Sequence, residues 1–173
     1  MNCTKRSYGF TLVELMIVVV IIGVLASIAY PSYTTYMRQT RRSDAQIGLS
    51  NAASLQEKFY SDCSHYAQQL QGLNTSRLCG TTGNGFNDGI LAMNNSTVAT
   101  ILSPGLHYTV SLVAPTVACP ITSCFILQAT PATTAQGGTG LQLADGNFRI
   151  TSTGVKTWDK SNNSTYTARW TDK

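Results

Sequence analysis

Few side chains in this 173-residue chain are suited to chemistry, and their placement limits what that chemistry can be. There are only two histidines, His65 and His107. His65 follows Ser64, but neighbours in sequence do not make a catalytic triad, which needs separate residues brought together with defined roles. "GNGFNDG" is rich in glycine, yet it lacks the lysine and helix start of a phosphate loop. It also has the acid of a calcium loop at only one or two places. No catalytic residue, metal or cofactor is expected. The two features that call for an explanation are the cysteines and one glutamate.

The five cysteines are Cys3, Cys63, Cys79, Cys119 and Cys124. None forms a C-x-x-C pair, so a zinc site is not expected. Cys3 precedes a long apolar run, and the other four follow it as an even set. That distribution points to two disulfides in an oxidising compartment. The close pairing Cys63–Cys79 and Cys119–Cys124 is expected because each pair brackets a compact segment. The other two connectivities stay open on sequence alone.

The glutamate is Glu14. It sits inside "FTLVELMIVVVIIGVLASIAY", the apolar run from Phe10 to Tyr30. As a helix this run spans about 30 Å, the thickness of a hydrocarbon core. An ionised carboxylate at the centre of a bilayer costs at least about 2.5–3.5 kcal/mol, so an anchor alone would do better with leucine. A short basic segment, "MNCTKRSYG", precedes the run, and Arg38, Arg41 and Arg42 lie beyond it. Both flanks are basic, so charge does not orient the span. The cysteines do, since they place the C-terminal part outside the cytoplasm.

These residues resemble the class III signal of the type IV pilin family: a short basic leader, "GFTLVE", the apolar stretch, then Pro31 and Tyr33. The family includes pilins, type II secretion pseudopilins and related competence filaments. The resemblance implies that a prepilin peptidase cuts between Gly9 and Phe10 and that Phe10 becomes an N-methylated terminus. Glu14 is then the fifth mature residue. It would pair with the Phe10 amine of a neighbouring subunit, since a buried charge is tolerable when paired. Such a pair would set the axial register of an assembly.

The elements that must position these residues follow. Ala45, Leu49, Ala52, Leu55 or Gln56, and Phe59 recur at helical spacing, so one helix is expected over residues 10–60, spanning the membrane in 10–30. Gly23 and Pro31 should kink it. Residues 1–9 are the leader, and 61–173 form a disulfide-stapled head. Turn signals crowd residues 61 to about 105, where one short helix or strand is expected. Three or four strands should follow from "LHYTVSLVA", "SCFILQAT", "GNFRITSTG" with "VKTWD", and "TYTARW". The fold class is α+β: a pilin fold in which the amphipathic half of the helix packs on an antiparallel sheet.

"YTVSL", "FILQATP" and "DGNFRITSTGVKTW" resemble the end of small PilE-type pilins, many of which are minor components. No cysteine follows Cys124, so the usual disulfide-bounded C-terminal loop of major pilins is not evident. The resemblance therefore implies a structural subunit of a type IV pilus, with other pilin subunits, the prepilin peptidase and the inner-membrane assembly machinery as partners. It implies an inner-membrane location before assembly and an extracellular pilus afterwards, serving adhesion to a host surface, twitching motility or DNA uptake. A secretion pseudopilin is the alternative, and four exported cysteines favour the pilus. A third reading is DNA capture. Lys156, Lys160, Arg169 and Lys173 could form a basic C-terminal patch, with Trp158, Tyr166 and Trp170 stacking on bases. Against it stands a solvated sheet edge with core aromatics. The formal charge of +4 is too small to decide.

Overall fold

The computed structural model describes residues 10–67, 70 and 100–172. Helix α1 covers Leu12–Cys63 and is followed by six strands: β1 Thr100–Leu102, β2 Tyr108–Leu112, β3 Ile126–Pro131, β4 Asn147–Thr151, β5 Lys156–Asp159 and β6 Ala168–Arg169. A single 3-10 turn, Thr134–Gln136, lies between β3 and β4. The strands form one antiparallel sheet in the order β1-β2-β3-β4-β5-β6, so every neighbour in space is a neighbour in sequence. The architecture is α+β, as the sequence predicts. β1 is the short strand expected before residue 105, and five strands follow where three or four were expected, because β5 pairs as a strand separate from β4.

The contacts divide the chain within α1, into residues 1–39 and residues 40–173. In the first unit, every residue from Phe10 to Tyr33 is exposed. Neither Gly23 nor Pro31 interrupts the helix. Proline cannot supply the N–H that would bond the carbonyl four residues back. The hydroxyls that follow Pro31 bond other carbonyls of the helix. Ser32 donates to the Ile28 carbonyl at 3.3 Å, and Thr34 and Thr35 both donate to the Pro31 carbonyl, at 2.9 and 3.0 Å.

In the second unit, the remainder of α1 packs on the sheet. Ala45, Gly48, Leu49, Ala52, Gln56 and Phe59 are buried, a stripe at spacings of three and four. Strand register shows what that stripe meets. One cross-strand row reads Ile101, Val110, Ala129, Phe148, Trp158, Ala168. Five of its members are buried and Ala168 packs against them. Gly48 permits the close approach: a Cβ there would meet Val110 and Ser103 at 3.3 and 3.4 Å. At the other end, Tyr66 packs edge-on against Phe125 with centroids 4.7 Å apart.

Polar side chains on α1 fasten the helix at three places. Arg42 reaches loop 139–146, Asp44 reaches the β1–β2 turn, and Gln56 binds the chain that follows the helix. Asp44 accepts bonds from the Ser103 hydroxyl, from Gly105 N at 2.7 Å and from His107 N at 3.3 Å. Gln56 is fully buried and exchanges two bonds with the Ala67 backbone, at 2.9 and 2.8 Å.

Candidate assembly helix and nucleic-acid interface

The residues expected to direct assembly lie at and just before the start of α1. Gly9 lies outside the described residues. Phe10 is 81% exposed, and no residue in the most apolar stretch of the helix is buried within the chain. Leu12, Val13, Leu15 and Met16 surround Glu14 and are exposed with it. Glu14 also has a local role that the sequence signals by T-x-x-E. Its backbone N–H donates to the Thr11 hydroxyl at 3.3 Å, so Thr11 satisfies one of the open donors of the first turn. An acid in that turn is favoured by the helix dipole. The arrangement gives the carboxylate a tolerable place near the helix end without using it up. Gly23 also faces open space, with nothing of this chain within 4 Å of an added Cβ.

Among the expected disulfides, Cys119–Cys124 is present. It staples the β2–β3 connection, where Thr116 and Cys119 also exchange backbone bonds of 3.1 Å. Cys63 is the last residue of α1, and its expected partner Cys79 lies outside the described residues.

The structure separates the members of the suggested DNA patch. Trp158 is 1% exposed and belongs to the core. Its ring stacks on Phe148 at 5.4 Å, its Nε1 donates to the Asp145 carbonyl at 3.1 Å, and the Arg42 guanidinium lies 4.4 Å from its centroid. A base cannot reach it, which corrects the stacking role expected from sequence. The cause is register: Trp158 pairs with Phe148, on the face covered by α1. Trp170 is half-buried, and its Nε1 bridges the carbonyls of Arg149 and Thr157 at 3.1 and 3.0 Å. Lys156 lies 5.0 Å from the Trp170 ring and Lys160 lies 5.7 Å from the Trp158 ring. Lys156, Lys160 and Arg169 are exposed; Lys173 lies outside the described residues.

The buried electrostatics centre on Asp145. Arg42 grips it with both ends of the guanidinium, at 2.7 Å from Nε and 2.6 Å from Nη2. The Tyr108 hydroxyl donates to it at 2.9 Å and the Gln142 amide at 3.1 Å. The hydrogen bond to Asp145 raises the Arg42 pKa, against an opposing effect of burial. Burial, then the Asp145 charge, pushes the Tyr108 hydroxyl well above its ordinary range. Arg42 and Tyr108 both stay protonated and serve the cluster as hydrogen-bond donors to Asp145. His65 packs against Phe59, and His107 shares a 2.7 Å bond with Thr139.

Sequence reasoning misses Arg149, the better-placed cation on the sheet. It stands on β4 opposite Gln128 and Thr157, on the face away from α1. Alternation was the available signal: in "NFRIT" Phe148 and Ile150 point inward, so Arg149 must point outward.

A long apolar helix carrying one acid in its first turn, followed by an antiparallel meander stapled by a disulfide, is the architecture of a pilin-like filament subunit. Residues 4–30 match a prokaryotic N-terminal methylation motif. Residues 31–145, more than half of the chain, match the family described as "Type IV minor pilin ComP, DNA uptake sequence receptor", and the chain belongs to that family. It is 42% identical over 62 residues to the type IV major pilin protein PilA of Myxococcus xanthus, covering 36% of this chain and 28% of that one. It is 35% identical over 104 residues to the type IV major fimbrial protein FimA of Dichelobacter nodosus, covering 60% and 63%. The type II secretion system core protein G of Escherichia coli is 38% identical over 76 residues, covering 42% and 50%. The chain thus spans less than two thirds of each of these relatives. No solved structure matches it.

Proposed function

We propose that this chain is a minor pilin of a type IV pilus that takes part in DNA uptake. Residues 1–9 are a leader removed by prepilin peptidase between Gly9 and Phe10. Residues 10–30 of the helix hold the subunit in the inner membrane until the assembly machinery moves it into an extracellular filament, where the head, residues 61–173, is presented. Membership of the ComP family and the exposed apolar helix together carry this reading. The Phe10 amine of one copy meets Glu14 of the next, neutralising both in the apolar interior of the filament. DNA uptake rests on the family description and on the arginines that the outer sheet face presents.

Two experiments test it. Deletion of the gene, followed by imaging of surface pili and assays of DNA uptake and protein secretion, should impair pilus function and leave secretion normal. Lost secretion with normal pili would favour the pseudopilin reading, which the similarity to the secretion core protein G supports. Glu14→Val should leave membrane insertion and cleavage intact while impairing assembly or N-methylation. Normal incorporation of that variant would remove the pairing role. In Gly9→Val the leader should stay attached.

A further inference from the structure

The antiparallel meander sorts its connections to two opposite ends of the sheet. The β1–β2 turn, residues 103–107, and the β3–β4 connection, residues 132–146, lie at one end, because Tyr108 pairs with Pro131. The β2–β3 connection, residues 113–125, lies at the other, because Leu112 pairs with Leu127. Residues 113–125 include no charged side chain. In 103–107 and 132–146 the one formal charge is Asp145, which Arg42 neutralises. Both ends nevertheless expose apolar side chains.

At the first end the usual order of inside and outside is inverted. Gln142 is 2% exposed, whereas Leu141 and Leu143 on either side of it are 55% and 54% exposed. Gln142 turns in to donate to Asp145, and its neighbours are sent outward. Leu106 is also exposed and is tied to the same loop, its carbonyl accepting the Thr139 N–H at 2.9 Å. Its φ is +60°, a left-handed backbone that a bulky residue adopts at a cost and that glycine or asparagine adopts more readily. A strained leucine left in water points to a use for its side chain.

At the second end Val117 is fully exposed, flanked by exposed Pro115, Ala118 and Pro120. The Cys119–Cys124 disulfide and the paired backbone bonds of Thr116 and Cys119 hold this tip in shape. A tip already ordered loses little entropy on docking. Strand β2 keeps the two ends about 14 Å apart, so the tip cannot reach the leucines of its own head.

We propose that the β2–β3 tip of one copy, led by Val117, seats on Leu106, Leu141 and Leu143 of the next copy. The proposal rests on the pilin reading above and deepens it by naming the head surfaces that meet. The two patches differ, so the contact runs head to tail and repeats without closing, as an open filament requires. Removal of uncharged apolar surface from water on both sides drives it. A tip and three leucines bury far less than the roughly 1,200 Å² of a stable free-standing complex. The contact therefore acts once copies are already joined through α1, when one end is held at high local concentration near the other.

A photo-crosslinking amino acid at Ala118 of the full chain, in cells that assemble the filament, tests this contact. Filaments are irradiated, sheared off and digested, and the crosslinked peptides are read by mass spectrometry. The expected product is a dimer of this chain, joined within residues 103–107 or 139–146. Val117→Lys and Leu141→Glu should each lower the dimer yield several-fold. The double variant sets opposite charges across the contact and should recover most of the yield, a recovery that needs two copies. Leu106→Asn suits the turn, so it should lower the yield without lowering the melting temperature. Filaments that contain the chain but give no such dimer, or crosslinks only to other proteins or to lipid, would overturn the docking and leave the pilin reading standing. Unchanged yield in Leu141→Glu would overturn it as well. Absence of the wild-type chain from the filaments would overturn both.

Discussion

Substitution of Trp158 separates a structural indole from a nucleic-acid contact. The side chain is 1% exposed, stacks on Phe148 with the planes 3° apart, and donates its one N–H to the Asp145 carbonyl. Trp158→Phe keeps an aromatic ring but loses that bond and leaves a buried carbonyl short of a donor, at a cost of about 1–3 kcal/mol. The smaller ring also leaves space, so the total should reach about 2–4 kcal/mol. Trp158→Leu removes the stack as well and should cost about 3–5 kcal/mol. Urea unfolding of the full chain in detergent, followed by circular dichroism, measures both. DNA affinity is then measured at a temperature where each variant is folded, and it should match that of the wild type. A stability loss below about 1 kcal/mol combined with abolished DNA binding would refute the core assignment, because burial of this size cannot be removed so cheaply.

Other substitutions probe the polar fastenings. Gln56→Leu fills the same space but leaves the Ala67 N–H and C=O unpaired, so it should destabilise by about 1–3 kcal/mol per group in the same urea assay. Gly146→Ala should destabilise by roughly 2–4 kcal/mol in thermal melts, because φ is +79° and a Cβ would collide with the Asp159 carbonyl. Stability should also fall in alkali. Tyr108 has a folded-state pKa raised above its ordinary value of 10.0, chiefly by burial, and Tyr66 and Tyr166 are raised in the same direction. The folded state therefore holds protons that the unfolded chain releases above about pH 10, and stability is lost as pH rises through that range. Melting temperature against pH should show this limb, and Tyr108→Phe should make it shallower while lowering stability at every pH.

The helix and the sheet could be read in the sequence because each repeats its own period. Apolar residues at spacings of three and four marked the buried stripe from Ala45 to Phe59, and "NFRIT" alternated as a strand with Phe148 and Ile150 inward. β1 was harder: with only three residues it offers too little alternation to stand out among turn signals. Arg42, Asp44 and Gln56 were also opaque. On a helix they read as a polar edge, while their partners lie 103, 59 and 11 residues away in the chain.

The sequence by itself carries the N-terminal motif from which assembly is proposed. Its signals are local: the Gly9–Phe10 junction, the acid at Glu14, and a run of apolar residues long enough to span a bilayer. What happens to each aromatic and basic residue of the head was decided by tertiary structure. Trp158, Lys160 and Arg169 lie within a dozen residues of one another and looked like one patch. Strand pairing sends Trp158 to the face under α1 and aligns Arg169 with Arg149 across Thr157 on the other face. Composition can collect such residues, but only register assigns them to a side of the sheet, since one step along a strand reverses the face.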